Sequence, residues 1–255
     1  MKVALWQTRP RHHLADALGR VAQDASNNGA DILLTPEMFL GGYNVGIETV
    51  LAHASKSRQV LERLQKIAQC HRIALVAGLA MPADPSPNNT CVLIDHEGNL
   101  LHRYAKTHLF GPVDQKQFTA GDEISKVVTL NGWRVGLAIC YDVEFPEIPR
   151  ALAIKGAQLI PVPTTNMTPF DSIAERLIPA RAEESAVYLA YCNYVGAEGG
   201  FAYNGLSCVC GPDGNDLARA NTCSDGLIYA DIDAQTLSER RQKYTHLSDR
   251  CDDLY

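Results

Sequence analysis

The chain has 255 residues, 46% of them hydrophobic and 20% charged, and its 29 acidic and 23 basic side chains give a formal net charge of −6. A chain of this length buries roughly 70 to 75% of its unfolded surface, so it needs no disulfide or metal framework, and its composition excludes the disordered and collagen-like classes. The acidic balance and the lack of a basic run exclude nucleic acid as a partner, and no apolar stretch reaches the roughly 18 to 20 residues of a membrane span.

From the amino terminus, the run 3–6 reads as a buried strand and is too short for a secretory apolar segment, so a cytoplasmic protein is expected. Apolar positions three and four apart then predict a helix over 13–28, a strand over 32–35, a helix over 56–70 and strands over 73–79 and 90–95. His96-Glu97-Gly98-Asn99 is hairpin chemistry, and Asn131-Gly132 between 127–130 and 133–139 suits a type I′ turn. A helix over 146–155, a strand over 159–162, a helix over 172–185 and a strand over 187–191 follow. The chain then runs through the Gly211-Pro212-Asp213-Gly214-Asn215 turn to a strand over 227–232 and a helix over 234–243. Parallel βα units mixed with hairpins predict an α/β protein with mixed sheets, and with no linker or repeat in sight residues 1–255 read as a single domain. The eight cysteines (70, 91, 140, 192, 208, 210, 223 and 251) contain no CxxC pair, so free thiols are expected and no metal.

Three polar residues stand at predicted strand ends. Cys140 closes the run 133–139 just before a helix, where a side chain faces the carboxyl edge of the sheet and nearby main-chain amides stabilise a thiolate; taken alone, it reads better as a small buried hydrophobe. Glu37 ends the run 31–36, and among apolar groups it would be desolvated and suited to carrying protons, against the simpler reading of a solvated strand-end charge. Lys106 follows Leu101-His102-Arg103-Tyr104-Ala105, and its cation can meet an oxyanion, although a lone lysine is usually a surface group.

The order Glu, Lys, Cys, each at a strand end, changes those odds. Thr35-Pro36-Glu37-Met38-Phe39-Leu40-Gly41-Gly42-Tyr43, Tyr104-Ala105-Lys106-Thr107-His108-Leu109 and Gly136-Leu137-Ala138-Ile139-Cys140-Tyr141-Asp142-Val143-Glu144-Phe145-Pro146-Glu147 resemble the three signature segments of the nitrilase, or carbon-nitrogen hydrolase, superfamily. Further matches are Phe118-Thr119-Ala120-Gly121-Asp122, Ala180-Arg181-Ala182-Glu183-Glu184 and Asn193-Tyr194-Val195-Gly196, so the resemblance covers essentially the whole chain.

The resemblance implies an αββα sandwich, a homodimer or higher homo-oligomer, and no cofactor. It assigns Cys140 as nucleophile, Glu37 as general base and acid, and Lys106 with the main-chain amide of Tyr141 to the oxyanion. Asp114 stands where the family usually has a second active-site Glu, one methylene longer, and the substrate-positioning role carries over to it. Asn166 and Met167, after the 159–162 strand, are expected to line the pocket. The context after Cys140 is similar to the amidase branches, implying a small-molecule primary amide cleaved to acid and ammonia. N-carbamoyl hydrolysis, nitrile hydrolysis, acyl transfer to an amine and an idle scaffold of the same fold are the alternatives. A serine hydrolase is set aside because Gly205-Leu206-Ser207-Cys208-Val209 lacks the last glycine of a nucleophile elbow.

Overall fold

The chain's two six-stranded sheets share one sequence of strand directions. The computed structural model describes residues 1–10 and 14–254, and the first position of the helix predicted over 13–28 lies outside the described residues. In the first sheet β1 (Lys2–Gln7) pairs in parallel with β2 (Ile32–Leu34) after α1 (Leu14–Asn27), and β2 pairs in parallel with β3 (Ala74–Met81) after α2 (Ile47–Ala54) and α3 (Ser57–His71). The antiparallel strands β4 (Asn88–Ile94) and β5 (Leu100–Ala105) extend one edge, and β14 (Gly226–Asp231) pairs antiparallel with β1 at the other.

The second sheet runs from β6 (Val128–Leu130) through β7 (Trp133–Val135), β8 (Leu159–Pro163) and β9 (Tyr188–Cys192) to β12 (Cys208–Cys210) and β13 (Asp216–Arg219). Read from β14 to β5 and from β6 to β13, both sheets go antiparallel, parallel, parallel, antiparallel, antiparallel. The repeat is one of topology and left no mark in the residues. A small hairpin of β10 (Val195–Glu198) and β11 (Phe201–Asn204) stands apart from both.

The period of two along each strand sets the layers. In β1, Val3 and Leu5 face the second sheet and pack with Leu159, Tyr188 and Ala190, while Ala4 and Trp6 face outward against Leu18 and Ala22 of α1 and Leu64 and Ala68 of α3. On the far side α5 (Glu147–Ile154) and α6 (Ile178–Ser185) cover Ile160, Val162 and Leu189 with Ile148, Leu152, Ile178 and Ala182. The result is the αββα sandwich expected. The apolar pattern of the helix predicted over 172–185 fits either a two-fold partner or its own sheet; Ile178 is fully buried under its own sheet, and Ile173 and Leu177 are half-buried.

Most predicted elements lie within a residue or two of their observed ends, and α7 (Ala234–Lys243) coincides with its prediction. Asn131 (φ 49°) and Gly132 (φ 82°) adopt the two positive dihedrals of the type I′ turn. The extended run 133–139 is a regular strand only to Val135, yet Gly136 N and Ala138 N continue bonding to β8 at Leu159 O and Pro161 O. The helix predicted over 172–185 is divided: Ile173–Leu177 is a π turn ahead of α6, because Pro179 has no N–H to give to the preceding turn. Two helices were missed, α2 and α4 (Gly111–Gln117); the latter opens Gly111-Pro112, which reads as loop but is tolerated in a first helical turn.

Among the described residues no helix is long and apolar enough to cross a membrane, and all eight cysteines are free.

At one point the fold presses on the segment that carries Glu37. A Cβ on Gly78 of β3 would lie 2.5 Å from Met38 N and 3.0 Å from the Glu37 carbonyl carbon. Gly78→Ala therefore has to displace that turn, and a loss of about 1–3 kcal/mol by urea unfolding is expected, with turnover reduced further than the remaining folded fraction accounts for.

Candidate active site

The catalytic candidates converge because both sheets present their carboxyl ends on the same side. Two antiparallel steps, β3 to β4 and β4 to β5, return β5 to the direction of β3, so Lys106 leaves the same edge as Glu37, which follows β2. Thr8 beyond β1 bridges Tyr194 beyond β9, and Glu37 N donates to Thr164 O just beyond β8 at 3.3 Å, which locks the two edges together. Ligand sites of open α/β sheets lie at this kind of edge.

Lys106 is fully buried, and its ammonium donates to Glu37 Oε1 and to Asp114 Oδ2, each at 2.7 Å. Burial alone would lower its pKa; the Glu37 and Asp114 carboxylates outweigh that and hold it well above the usual lysine value. Glu37, also fully buried, takes a second donor from Asn89 Nδ2 at 2.7 Å on Oε1 and the Thr165 hydroxyl on Oε2. Its surroundings are thus polar donors, and the expectation of an apolar pocket around it does not hold. Asp114 sits in the first turn of α4, buried, with Phe110 N donating to the same Oδ2 at 2.8 Å; its Oδ1 has no hydrogen-bond partner. Tyr43 lays its ring 5.7 Å from the Lys106 ammonium.

Cys140 opens a short 3-10 turn (Cys140–Glu144) with φ at 45°, the left-handed region that residues with a Cβ rarely adopt. Burial first, then the Glu37 carboxylate, pushes its thiol up, while Lys106, the Thr164 hydroxyl and the Thr165 main chain pull it the other way. The thiol is thereby held in its protonated form, and a base must take its proton, the part the family resemblance gives to Glu37.

Asn166 and Met167 follow Thr164 and Thr165. The Asn166 side chain is turned into its own loop, donating to Phe170 O at 3.0 Å and accepting from Met167 N at 3.0 Å, while Asn193 Nδ2 holds the Asn166 carbonyl at 3.1 Å. Met167 is buried in the outer core of the first sheet with Phe39, Tyr194 and Tyr203.

Sequence reasoning missed Asn89 and Thr165, whose only signal was a polar residue at a strand end, and it missed Asp142. Fully buried, Asp142 accepts from Tyr104 Oη (2.9 Å) and Ile139 N (3.1 Å) on Oδ2, and from Thr107 Oγ1 (3.0 Å) and His108 N (2.9 Å) on Oδ1. It ties the Lys106 loop to the Cys140 turn. Elsewhere Cys208, Cys210 and Asp216 bring ligand atoms within 4.8 Å of one another, but Asp216 is already engaged by Arg219. A cavity of about 660 Å³ runs along β5 and residues 121–126; Glu37, Asp114 and Cys140 do not line it.

The sequence model described as carbon-nitrogen hydrolase matches residues 2–242. The chain belongs to that family. It is 43% identical over 259 residues to a protein of Pseudomonas protegens named "Hydrolase in pqqF 5'region", covering 100% of this chain and 90% of that protein. It is 32% identical to an (R)-stereoselective amidase of a Pseudomonas species, covering 98% of this chain and 91% of the amidase. Among solved structures, an amidase from Nesterenkonia sp. AN1 superposes with a TM-score of 0.89 at 36% identity, over 100% of this chain and 98% of that one. A variant of that amidase, also at 0.89 and 36% and covering 100% and 95%, shows covalent addition of the acetamide moiety of fluoroacetamide at its active-site cysteine. The chain is a hydrolase of carbon-nitrogen bonds other than peptide bonds, working through a thiol.

Asp142 makes a prediction of its own. Every partner of its two oxygens is a donor, so Asp142→Asn must set an NH₂ against one of them; a loss of about 2–4 kcal/mol is expected from the broken charged network. The loss is read by urea unfolding, with turnover falling because the Lys106 loop is no longer held.

Proposed function

We propose that this chain hydrolyses a small-molecule primary amide to a carboxylic acid and ammonia through a thioester on Cys140. The observation that supports this reading best is the buried Glu37–Lys106–Asp114 cluster beside a neutral thiol. Glu37 takes the Sγ proton as sulfur attacks the amide carbon. Two of the three Lys106 protons are committed to Glu37 and Asp114, and the third is left for the oxyanion together with the Tyr141 main-chain N–H. Glu37 then returns the proton to the departing nitrogen and ammonia leaves. Water attacks the thioester, Glu37 removes its proton, and Sγ is released and reprotonated, so the cycle closes without a cofactor.

In this reading Asp114 holds Lys106 with Oδ2 and offers its unpartnered Oδ1 to the substrate NH₂. Asn166 and Met167 shape the loop that borders the pocket. Residues 1–255 act as one domain in the cytoplasm, and the half-buried Ile173 and Leu177 are the residues we assign to a homodimer face.

The test is ammonia release from a panel of primary amides, N-carbamoyl compounds and nitriles. Release from amides in preference to the other two classes is expected, with Cys140→Ala folded and inactive. Asp114→Asn is expected to lower kcat by more than about tenfold, or 1.4 kcal/mol, with a smaller change in KM. Wild-type turnover by Cys140→Ala, or faster cleavage of nitriles than of amides, contradicts the proposal.

A further inference from the structure

The segments that carry Lys106 and Cys140 and the loop beyond Thr165 each carry an aromatic ring, and the rings meet. Phe110, four residues beyond Lys106, packs edge-on against Tyr141, next to Cys140, at 5.2 Å and against Phe170, beyond Thr165, at 5.9 Å; Tyr141 in turn meets Phe145 at 4.9 Å. Phe170 is 41% exposed and the other three are half-buried, so the cluster forms a rim open to solvent. Glu144 lies in the same turn, between Tyr141 and Phe145, and is half-buried.

Among the described residues the Glu144 carboxylate takes part in no hydrogen bond or ion pair. The cations near it are engaged elsewhere. Lys106 serves Glu37 and Asp114, and Arg181 donates from Nε to Val143 O (3.1 Å), from Nη2 to Glu144 O (2.7 Å) and from Nη1 to Glu184 Oε1 (3.0 Å). Three carboxylates, Glu37, Asp114 and Glu144, thus stand against the single ammonium of Lys106 and leave the site with an excess of negative charge. That charge repels an anionic acyl chain and attracts a cationic one, and ring faces add to the attraction of an amine cation.

We propose that Glu144 is a specificity-determining residue which, with the rim of Phe110, Tyr141, Phe145 and Phe170, selects amides whose acyl chain carries an amine cation. This rests on the amidase reading above. It also implies a pH dependence. Burial pushes Glu144 up to about 7, against the opposing pull of Lys106 and Arg181, so the selectivity is present above that pH and fades below it as the carboxylate protonates. The other charged or titratable groups around it are Glu184 and Arg150, paired with each other at 3.6 Å; Glu147 of α5; His108, bonded to Asp142 and stacked on Phe145; and Tyr191 and Cys140 from the sheet side.

The experiment compares kcat/KM for 4-aminobutanamide, whose amine stays protonated from about pH 6 to about 8.5, with that for its neutral isostere pentanamide and for anionic succinamate. Taking the ratio to pentanamide cancels effects of pH common to the substrates. In the wild type the cationic amide is expected to lead pentanamide by about tenfold at about pH 8.5, mostly through KM, and the ratio is expected to fall towards one near pH 6. Glu144→Gln is expected to bring the ratio within about twofold at both pH values, and Glu144→Lys to favour succinamate. A residue that merely supports the turn would lower all three substrates alike and leave the ratio intact. A wild-type ratio near one, or a ratio that survives in Glu144→Gln, overturns the inference. Hydrolysis of pentanamide with no preference for the cation overturns it alone, whereas absence of ammonia from all three amides overturns the amidase reading as well.

Discussion

A single ammonium buried between two carboxylates is the constraint around which the rest of the structure is arranged. Removing the Lys106 charge from water costs several kcal/mol, and only close anionic partners with their remaining lone pairs satisfied offset it. Glu37 and Asp114 supply the charge, and Asn89, Thr165 and Phe110 N supply the further donors. Each partner arrives from a different place in the chain: the ends of β2 and β5, the start of β4, the first turn of α4 and the loop after β8. The cluster forms only when the two sheets meet in the correct register.

The scaffold supplies that register by repeating one strand pattern and aligning two carboxyl edges. Asp142 joins the loop after β5 to the turn after β7, while Gly78 lets β3 come within contact of the turn beyond Glu37. The positive φ of Cys140 turns its side chain out of the strand path towards Glu37 and Lys106. Because the thiol keeps its proton at rest, reactivity depends on proton transfer to Glu37 during attack, and the ammonium fixes that carboxylate's position without deprotonating the sulfur in advance.

Glu37 and Cys140 were legible because each follows an apolar run with β-branched residues, and Lys106 because it follows the segment that returns from the 96–99 hairpin turn; strands of either kind end at a sheet edge. Individually each had a simpler reading, and it was the order of the three with their flanking motifs that pointed to carbon-nitrogen hydrolysis. The inward aim of Asp114 was hidden because α4 begins with Gly111-Pro112, which carries turn chemistry. Asn89, Thr165 and Asp142 were hidden for a different reason: a polar residue beside a strand end or within a turn has the same local signature whether it caps its own backbone or reaches across 30 or more residues, and these three reach across. The polar surroundings of Glu37 depend on those long-range donors and are therefore a property of the assembled sheets.

The most direct measurement is the unfolding free energy, with ammonia release, of Lys106→Met alone and of the triple variant Lys106→Met, Glu37→Gln, Asp114→Asn. If the ammonium is what allows two carboxylates to be buried, the single variant loses about 3–5 kcal/mol, the triple variant recovers most of that loss because no buried charge is left unpaired, and neither releases ammonia. A single variant of near wild-type stability, or one that still hydrolyses amides, would contradict the account.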